Sequence, residues 1–310
     1  MTIIDERWKS LLTEFEQKSE RNLIYVLGPT DSGKTTFCRL LHEHLTDKFF
    51  TAYIDGDPGQ SVIGPPATLG LEFYAGIGQG ERRVCLYFVG STSPLGHLLQ
   101  TLSGLKKLTE KAIHLGATRV ILDSSGFVLG KPAREFQFQA VDLLKPDHVV
   151  CLEYTEELED LLMNFRKNPG IKIHRVPISS SVPIKTHLER EQYRENRFKI
   201  YFQDSKLQEL CWEEIGFHGM IPDFSHLKTL CHRLIALCDW ENFVVTLGIV
   251  RSVVLNRKRL QFFSPNYDQS RVASVQFGSI YLSLDGKQIT SGNLTHSQEN
   301  NTLCGSGTDQ

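Results

Sequence analysis

Short continuous apolar runs alternate along the chain with stretches whose apolar residues recur at helical spacing. Trp8, Leu11, Leu12 and Phe15 stand among charges and predict a short amphipathic helix within residues 5–20. Leu23-Ile24-Tyr25-Val26-Leu27 then forms an unbroken apolar run, the pattern of a strand buried on both faces. The run ends at Gly28, and helical spacing resumes over 35–45. Residues 52–54, 84–89, 120–122 and 149–152 read as further strands, and 98–115, 133–144 and 155–165 as helices. Strand and helix in alternation predict an α/β fold, a parallel sheet with helices on both faces.

The pattern changes near residue 240. Residues 244–255, 259–263 and 272–284 are β-rich, and Ser264-Pro265-Asn266 and Asp285-Gly286 supply turns. These features predict a small C-terminal antiparallel β domain over 240–290. The expected organisation is therefore an N-terminal helix at 1–20, an α/β domain at 21–239, the β domain, and a polar tail at 291–310. The tail is rich in Ser, Thr, Asn, Gln and Gly and reads as disordered.

Charge and cysteine content narrow the function classes. The chain of 310 residues carries 34 basic and 36 acidic side chains, a balance of −2. That excludes a uniformly basic nucleic-acid binder but leaves room for a local basic channel. Seven cysteines, with no Cys-x-x-Cys pair, argue against a disulfide framework or a cysteine zinc cluster and fit a reducing cytoplasm. The charged N-terminus lacks the apolar core of a signal peptide. No uncharged stretch approaches the ~18–20 residues of a membrane span.

Gly28-Pro29-Thr30-Asp31-Ser32-Gly33-Lys34-Thr35 satisfies the pattern Gly-x4-Gly-Lys-Ser/Thr between a strand and a helix. Backbone amides of such a loop wrap phosphate, and the helix that follows turns its N-terminus toward the charge. Lys34 would reach the β- and γ-phosphates, and the Thr35 hydroxyl would ligate Mg²⁺. The spacing predicts nucleoside triphosphate binding and a sheet of the P-loop NTPase type.

Two acidic segments follow apolar strands. In Asp55-Gly56-Asp57-Pro58-Gly59-Gln60, Asp57 is placed to hold Mg²⁺ or to accept a proton from an attacking hydroxyl. Asp55 is expected on the opposite side if the strand persists. In Val120-Ile121-Leu122-Asp123-Ser124-Ser125-Gly126, Asp123 ends the strand where a Mg²⁺-contacting carboxylate is expected. No Asn-Lys-x-Asp segment follows, which weakens a GTPase reading. Gly90-Ser91-Thr92-Ser93-Pro94 forms a polar loop after the 84–89 strand. Near 180–200, Lys185, Arg190, Arg194 and Arg197 suggest a basic lid, the three arginines sharing one helix face.

Taken in order, these motifs resemble the polynucleotide 5′-hydroxyl kinase family, which includes an mRNA 3′-cleavage subunit and a ribosomal-RNA-processing kinase. The resemblance rests on residues 28–36, 55–60, 63–68, 90–94 and 123–127 and on Arg190 and Arg194, and it points to a compact microbial type. It implies ATP and Mg²⁺ as cofactors and the 5′ end of single-stranded RNA or DNA as partner. Gly28 through Thr36 would bind ATP, and Thr35, Asp57 and Asp123 would hold the metal. Lys34, Asp57, Arg190 and Arg194 would be catalytic. Gln60, Arg197 and a clasp of Thr92, Ser93 and Pro94 would hold the strand. Phe127 would stack a base where well-studied members carry tryptophan. Two other readings stay open: an ATP-binding scaffold with little catalysis, and another P-loop NTPase such as a GTPase or small-molecule kinase. The sequence names no protein partner.

Overall fold

The computed structural model of the chain describes residues 6–16, 22–74, 80–178, 182–213, 215–221 and 230–289. The expected tail at 291–310 lies outside them, as do the two ends of the expected N-terminal helix. The chain divides into two compact units. The first comprises Met1–Gly64, Leu69–Leu86 and Ser93–Thr186, and the second Pro65–Thr68, Tyr87–Thr92 and His187–Gln310.

The first unit begins with helix α1 (Glu6–Phe15), strand β1 (Asn22–Leu27), helix α2 (Lys34–Thr46) and strand β2 (Thr51–Gly56). Strands β3 (Thr68–Tyr74) and β4 (Arg82–Phe88) follow, then helix α3 (Leu98–His114) and strand β5 (Arg119–Ser124). Helix α4 (Lys131–Leu144), strand β6 (His148–Glu153), the single turn α5 (Glu159–Leu162) and strand β7 (Lys172–Pro177) complete it. The sheet runs β4-β3-β2-β5-β1-β6-β7. Strands β2, β5, β1, β6 and β7 are mutually parallel, as expected. Strand β3 departs from that expectation and lies antiparallel to β2. No helix stands between β2 and β3, and a parallel return needs a long crossover.

Burial on both faces explains the unbroken apolar character of β1. Ile24 and Val26 pack with Phe37, Cys38 and Leu41 of α2 and with Leu12 and Phe15 of α1. Tyr25 points the other way, and its hydroxyl donates to Gln137 Oε1 of α4 at 2.6 Å. Each such buried side chain contributes about 1.5–3 kcal/mol, which holds rigid the strand ends that carry the loops discussed below.

The second unit carries helix α6 (His187–Phe202) and strands β8 (Lys206–Cys211), β9 (Gly216–Gly219) and β10 (Arg233–Cys238). Strands β11 (Val244–Val254), β12 (Arg259–Ser264), β13 (Ser274–Leu282) and β14 (Gln288–Ile289) follow. The order is β14-β13-β10-β11-β12-β8, with β9 beside β13. One face buries Leu234, Ala236, Leu247 and Ile249 against Phe198 and Phe202 of α6. On the other, Ile235, Leu237, Val250, Phe262 and Phe277 cluster. The division expected at residue 240 thus falls at 186/187. The sheet needs β10, which precedes 240, as its centre, and α6 buries its phenylalanines on that sheet. No described helix is long and apolar enough to cross a membrane.

Candidate functional site

The loop between β1 and α2 is held by close backbone packing. A Cβ on Gly28 would stand 2.5 Å from the Leu152 carbonyl of β6. One on Gly126, just after β5, would meet Thr30 at 2.4–2.8 Å. Only glycine lets the loop nest between its neighbours at these two points. Gly33 takes a left-handed φ of 85° as α2 begins, directing the first amides of that helix into a cleft. Asp31 is also left-handed, and its Oδ2 accepts from the Lys185 amide at 2.8 Å. That bond ties the loop to the 182–186 segment.

Lys34 is buried, and Nζ donates to the carbonyls of Gly28 at 2.9 Å and Pro29 at 2.7 Å. Burial lowers its pKa, and the nearby carboxylates of Asp123 and Asp57 oppose that shift. The next residue, Thr35, donates its hydroxyl to Asp123 Oδ2 at 2.7 Å, and the Tyr53 hydroxyl donates to the same oxygen at 3.0 Å. Among the described residues, Asp123 Oδ1 is buried with no hydrogen-bond partner. Burial raises the Asp123 carboxyl, against the pull of Lys34 and the two hydroxyls.

These donors fit Mg²⁺. A hard cation takes oxygen ligands and retains waters, and here a hydroxyl, a carboxylate with an uncommitted buried oxygen, and Asp57 border one cleft.

Asp55 corrects an expectation. It stands level with Asp123 across the parallel β2–β5 pair, so both point to one side of the sheet, the side of Tyr53 and α2. Strand alternation says nothing of Asp57, because β2 ends at Gly56. Asp55 Oδ2 accepts from the amides of Val62 at 2.6 Å and Ile63 at 3.2 Å. Asp57 Oδ1 accepts from Gly59 at 2.8 Å and Gln60 at 3.1 Å. Together the two carboxylates fold 57–63 into a tight turn that presents Asp57 and Gln60 to the cleft. Gln60 Oε1 is buried there without a hydrogen-bond partner among the described residues.

Burial, reinforced by the charge of Asp123, pushes the Asp55 carboxyl up to about 7 from its ordinary 3.8. The folded chain therefore holds this proton more tightly than the unfolded chain. The resulting stability is complete below about pH 4 and is lost as pH rises through about 7, with a slope approaching 1.4 kcal/mol per pH unit. Thermal melts without nucleotide or metal should show this decline, and Asp55→Asn should flatten it. An equally steep decline in the variant contradicts the assignment.

Among the residues expected from sequence, 30–36, Asp57, Gln60, Asp123 and Lys185 border one cleft, with Gly28 and Pro29 beneath Lys34. Others stand elsewhere. Phe127 packs its ring on Phe136 of α4, 6.2 Å between centroids, outside the cleft lining. Thr92, Ser93 and Pro94 lie on the β4–α3 connection, where Ser93 Oγ accepts from the Leu95 amide and the Pro94 carbonyl from His97. Arg190, Arg194 and Arg197 are carried by α6 in the second unit. Sequence reasoning missed Tyr53, although it lies two residues before Asp55 on the same strand face. It also missed the contact of Gly126 with Thr30, which joins residues 96 positions apart and leaves no local signal.

Comparison with known proteins bears on the chain as a whole. The family model for the mRNA cleavage and polyadenylation factor CLP1 P-loop matches residues 28–204. A polyribonucleotide 5′-hydroxyl-kinase of Pyrococcus abyssi is 25% identical over 322 residues, spanning 86% of this chain and 89% of its own. The enzyme of that name from Thermococcus kodakarensis is 27% identical, with 86% and 90% covered. A CLP1 homolog of Culex quinquefasciatus is 27% identical over 219 residues, covering 64% of this chain and 50% of its own. A chain of the Clp1p–Pcf11p complex superposes with a TM-score of 0.65 at 13% identity, over 89% of this chain and 79% of that one, a likeness of fold alone. The family match spans more than half of the chain and includes the phosphate loop, β2 and β5, so this protein belongs to the CLP1 P-loop family.

Proposed function

We propose that the chain transfers the γ-phosphoryl group of ATP to the 5′-hydroxyl of RNA. One observation carries this reading. Asp57, locked by the Gly59 and Gln60 amides, shares a cleft with Lys34, Thr35 and Asp123. It is a further carboxylate beside the Thr35–Asp123 pair, and it suits an acceptor hydroxyl. The archaeal relatives named polyribonucleotide 5′-hydroxyl-kinases support the same substrate class.

In this reading Lys34 and the first amides of α2 bind and orient the triphosphate. Thr35, Asp123 and Asp57 would hold Mg²⁺, which when bound neutralises phosphate charge. Asp57 takes the proton of the 5′-hydroxyl as its oxygen bonds to the γ-phosphorus. The bond from that phosphorus to the β,γ-bridging oxygen breaks, and ADP departs. Gln60 Oε1, a buried acceptor, orients the strand's end. Arg190 and Arg194 are assigned to the charge on the transferring group and Arg197 to a strand phosphate. The clasp of Thr92, Ser93 and Pro94 grips the terminal nucleotide, and Phe127 stacks a base.

Offering ATP or GTP with RNA, DNA or free nucleosides tests the assignment. ATP with 5′-hydroxyl RNA should give a 5′-monophosphate product. Faster phosphorylation of nucleosides than of oligonucleotides would select a small-molecule kinase instead, and bound ATP without turnover a scaffold. Arg194→Ala should lower kcat about 10²-fold while ATP affinity changes little. Because few basic side chains serve the strand, log affinity against log salt should have a slope of about −3. A slope near −10, or an Arg194→Ala enzyme at full rate, contradicts the lid assignment.

A further inference from the structure

A second cluster of ligand-bearing side chains lies at the other end of the same parallel strands, the amino-terminal end. His148 opens β6, and His174 stands in β7, each two residues from the other's register partner and so on one face of the sheet. Their ring nitrogens, Nδ1 of His148 and Nε2 of His174, face each other at 3.0 Å. Glu14 of α1 reaches the same point, with Oε1 3.7 Å from His174 Nε2. All three atoms lie within 4.8 Å of one another.

The spacing suits a small ion. Tetrahedral coordination at bonds of about 2.0–2.1 Å sets ligand atoms about 3.4 Å apart, and 3.0 and 3.7 Å bracket that value. The rings are also held in place. Phe15 packs edge-on against both, with centroids 5.0 Å from His148 and 5.6 Å from His174. The Phe15 carbonyl in turn accepts from Arg119 Nε at 3.1 Å. Two imidazoles and one carboxylate are the ligand types that a borderline cation such as zinc prefers.

We propose that Glu14, His148 and His174 form a Zn²⁺ site, completed by water, that pins α1 to the starts of β6 and β7. Lys172 is the built-in competitor. Its ammonium bonds Glu14 Oε1 at 2.5 Å, but the side chain is 63% exposed and can swing into solvent when the metal arrives. This site stands at the amino-terminal end of the parallel strands, opposite the end that carries the phosphate loop, and is independent of the kinase reading.

The 310-residue chain, stripped with a chelator and titrated with Zn²⁺ in excess Mg²⁺, tests the proposal. One equivalent should bind, with a rise of a few degrees in melting temperature. His148→Ala combined with His174→Ala should lose that equivalent. Glu14→Gln, which keeps the volume and hydrogen bonding of the side chain, should weaken it at least tenfold. Lys172→Ala should tighten it. Co²⁺ should give the visible absorption of a tetrahedral site in the wild type and not in the double variant. The double variant also guards against binding at cysteine. Equal Zn²⁺ uptake by wild type and folded double variant, or no stoichiometric uptake by the wild type, overturns the proposal.

Discussion

Lys34→Ala should lower the single-turnover rate of phosphoryl transfer by about 10³-fold and weaken ATP binding, while leaving the fold intact. The reason lies in where charge develops. Transfer of a phosphoryl group is mostly positioning and neutralisation, and Lys34 is the fixed cation of the loop. Its present partners, the Gly28 and Pro29 carbonyls, belong to the loop itself, so the ammonium is held where phosphate oxygens arrive. The fold should survive because burial already disfavours the charged form of this side chain. Two carbonyls left without a donor cost about 1–3 kcal/mol each at most, and water entering the cleft offsets part of that. Lys34→Arg should not rescue the rate, because a planar fork does not fit a cradle shaped for an ammonium. A variant within tenfold of wild type, with melting unchanged, contradicts the role given to Lys34.

Asp57→Asn should reduce the rate by about 10²–10⁴-fold, the range for removing a general base, with ATP affinity changed only a few-fold. The amide is a clean probe because its oxygen can still accept from Gly59 and Gln60, which preserves the turn. What disappears is the capacity to take a proton. Rate measured against Mg²⁺ concentration separates the two duties of this side chain. A loss that saturating Mg²⁺ restores would make Asp57 a metal ligand alone. A loss that persists at saturation assigns it the proton.

How much of this was legible without coordinates depended on distance along the chain. The phosphate loop, Asp57 and Asp123 each sit at the end of an apolar run, and strand, loop and helix signal one another locally. The expectation for Asp55 fails because residues two apart in a strand share a face, as Tyr53 and Asp55 do, and β2 ends before Asp57. The informative neighbour is Asp123, level with Asp55 on a parallel strand 68 residues away. Strand β7, Lys-Ile-His-Arg-Val-Pro, offers two apolar residues and no clean period, so only its pairing with β6 reveals it. Strand β10 is a fully buried run, yet it precedes the change in composition near 240 and was absorbed into the α/β half. The bond from the Lys185 amide to Asp31 and the Glu14–His148–His174 cluster join segments more than a hundred residues apart, beyond any periodic signal. The −2 charge balance also takes on a sharper meaning, since a chain that handles one strand end needs only local cations.

The central claim meets its most direct test in one reaction: purified chain, ATP labelled at the γ-phosphate, Mg²⁺ and a 5′-hydroxyl RNA oligonucleotide, followed under single-turnover conditions. The account predicts that label appears at the RNA 5′ end, that phosphatase removes it, and that the same oligonucleotide already bearing a 5′-phosphate takes none. Label that stays in ATP or is released as inorganic phosphate, across several 5′-hydroxyl RNAs and with ATP demonstrably bound, contradicts it.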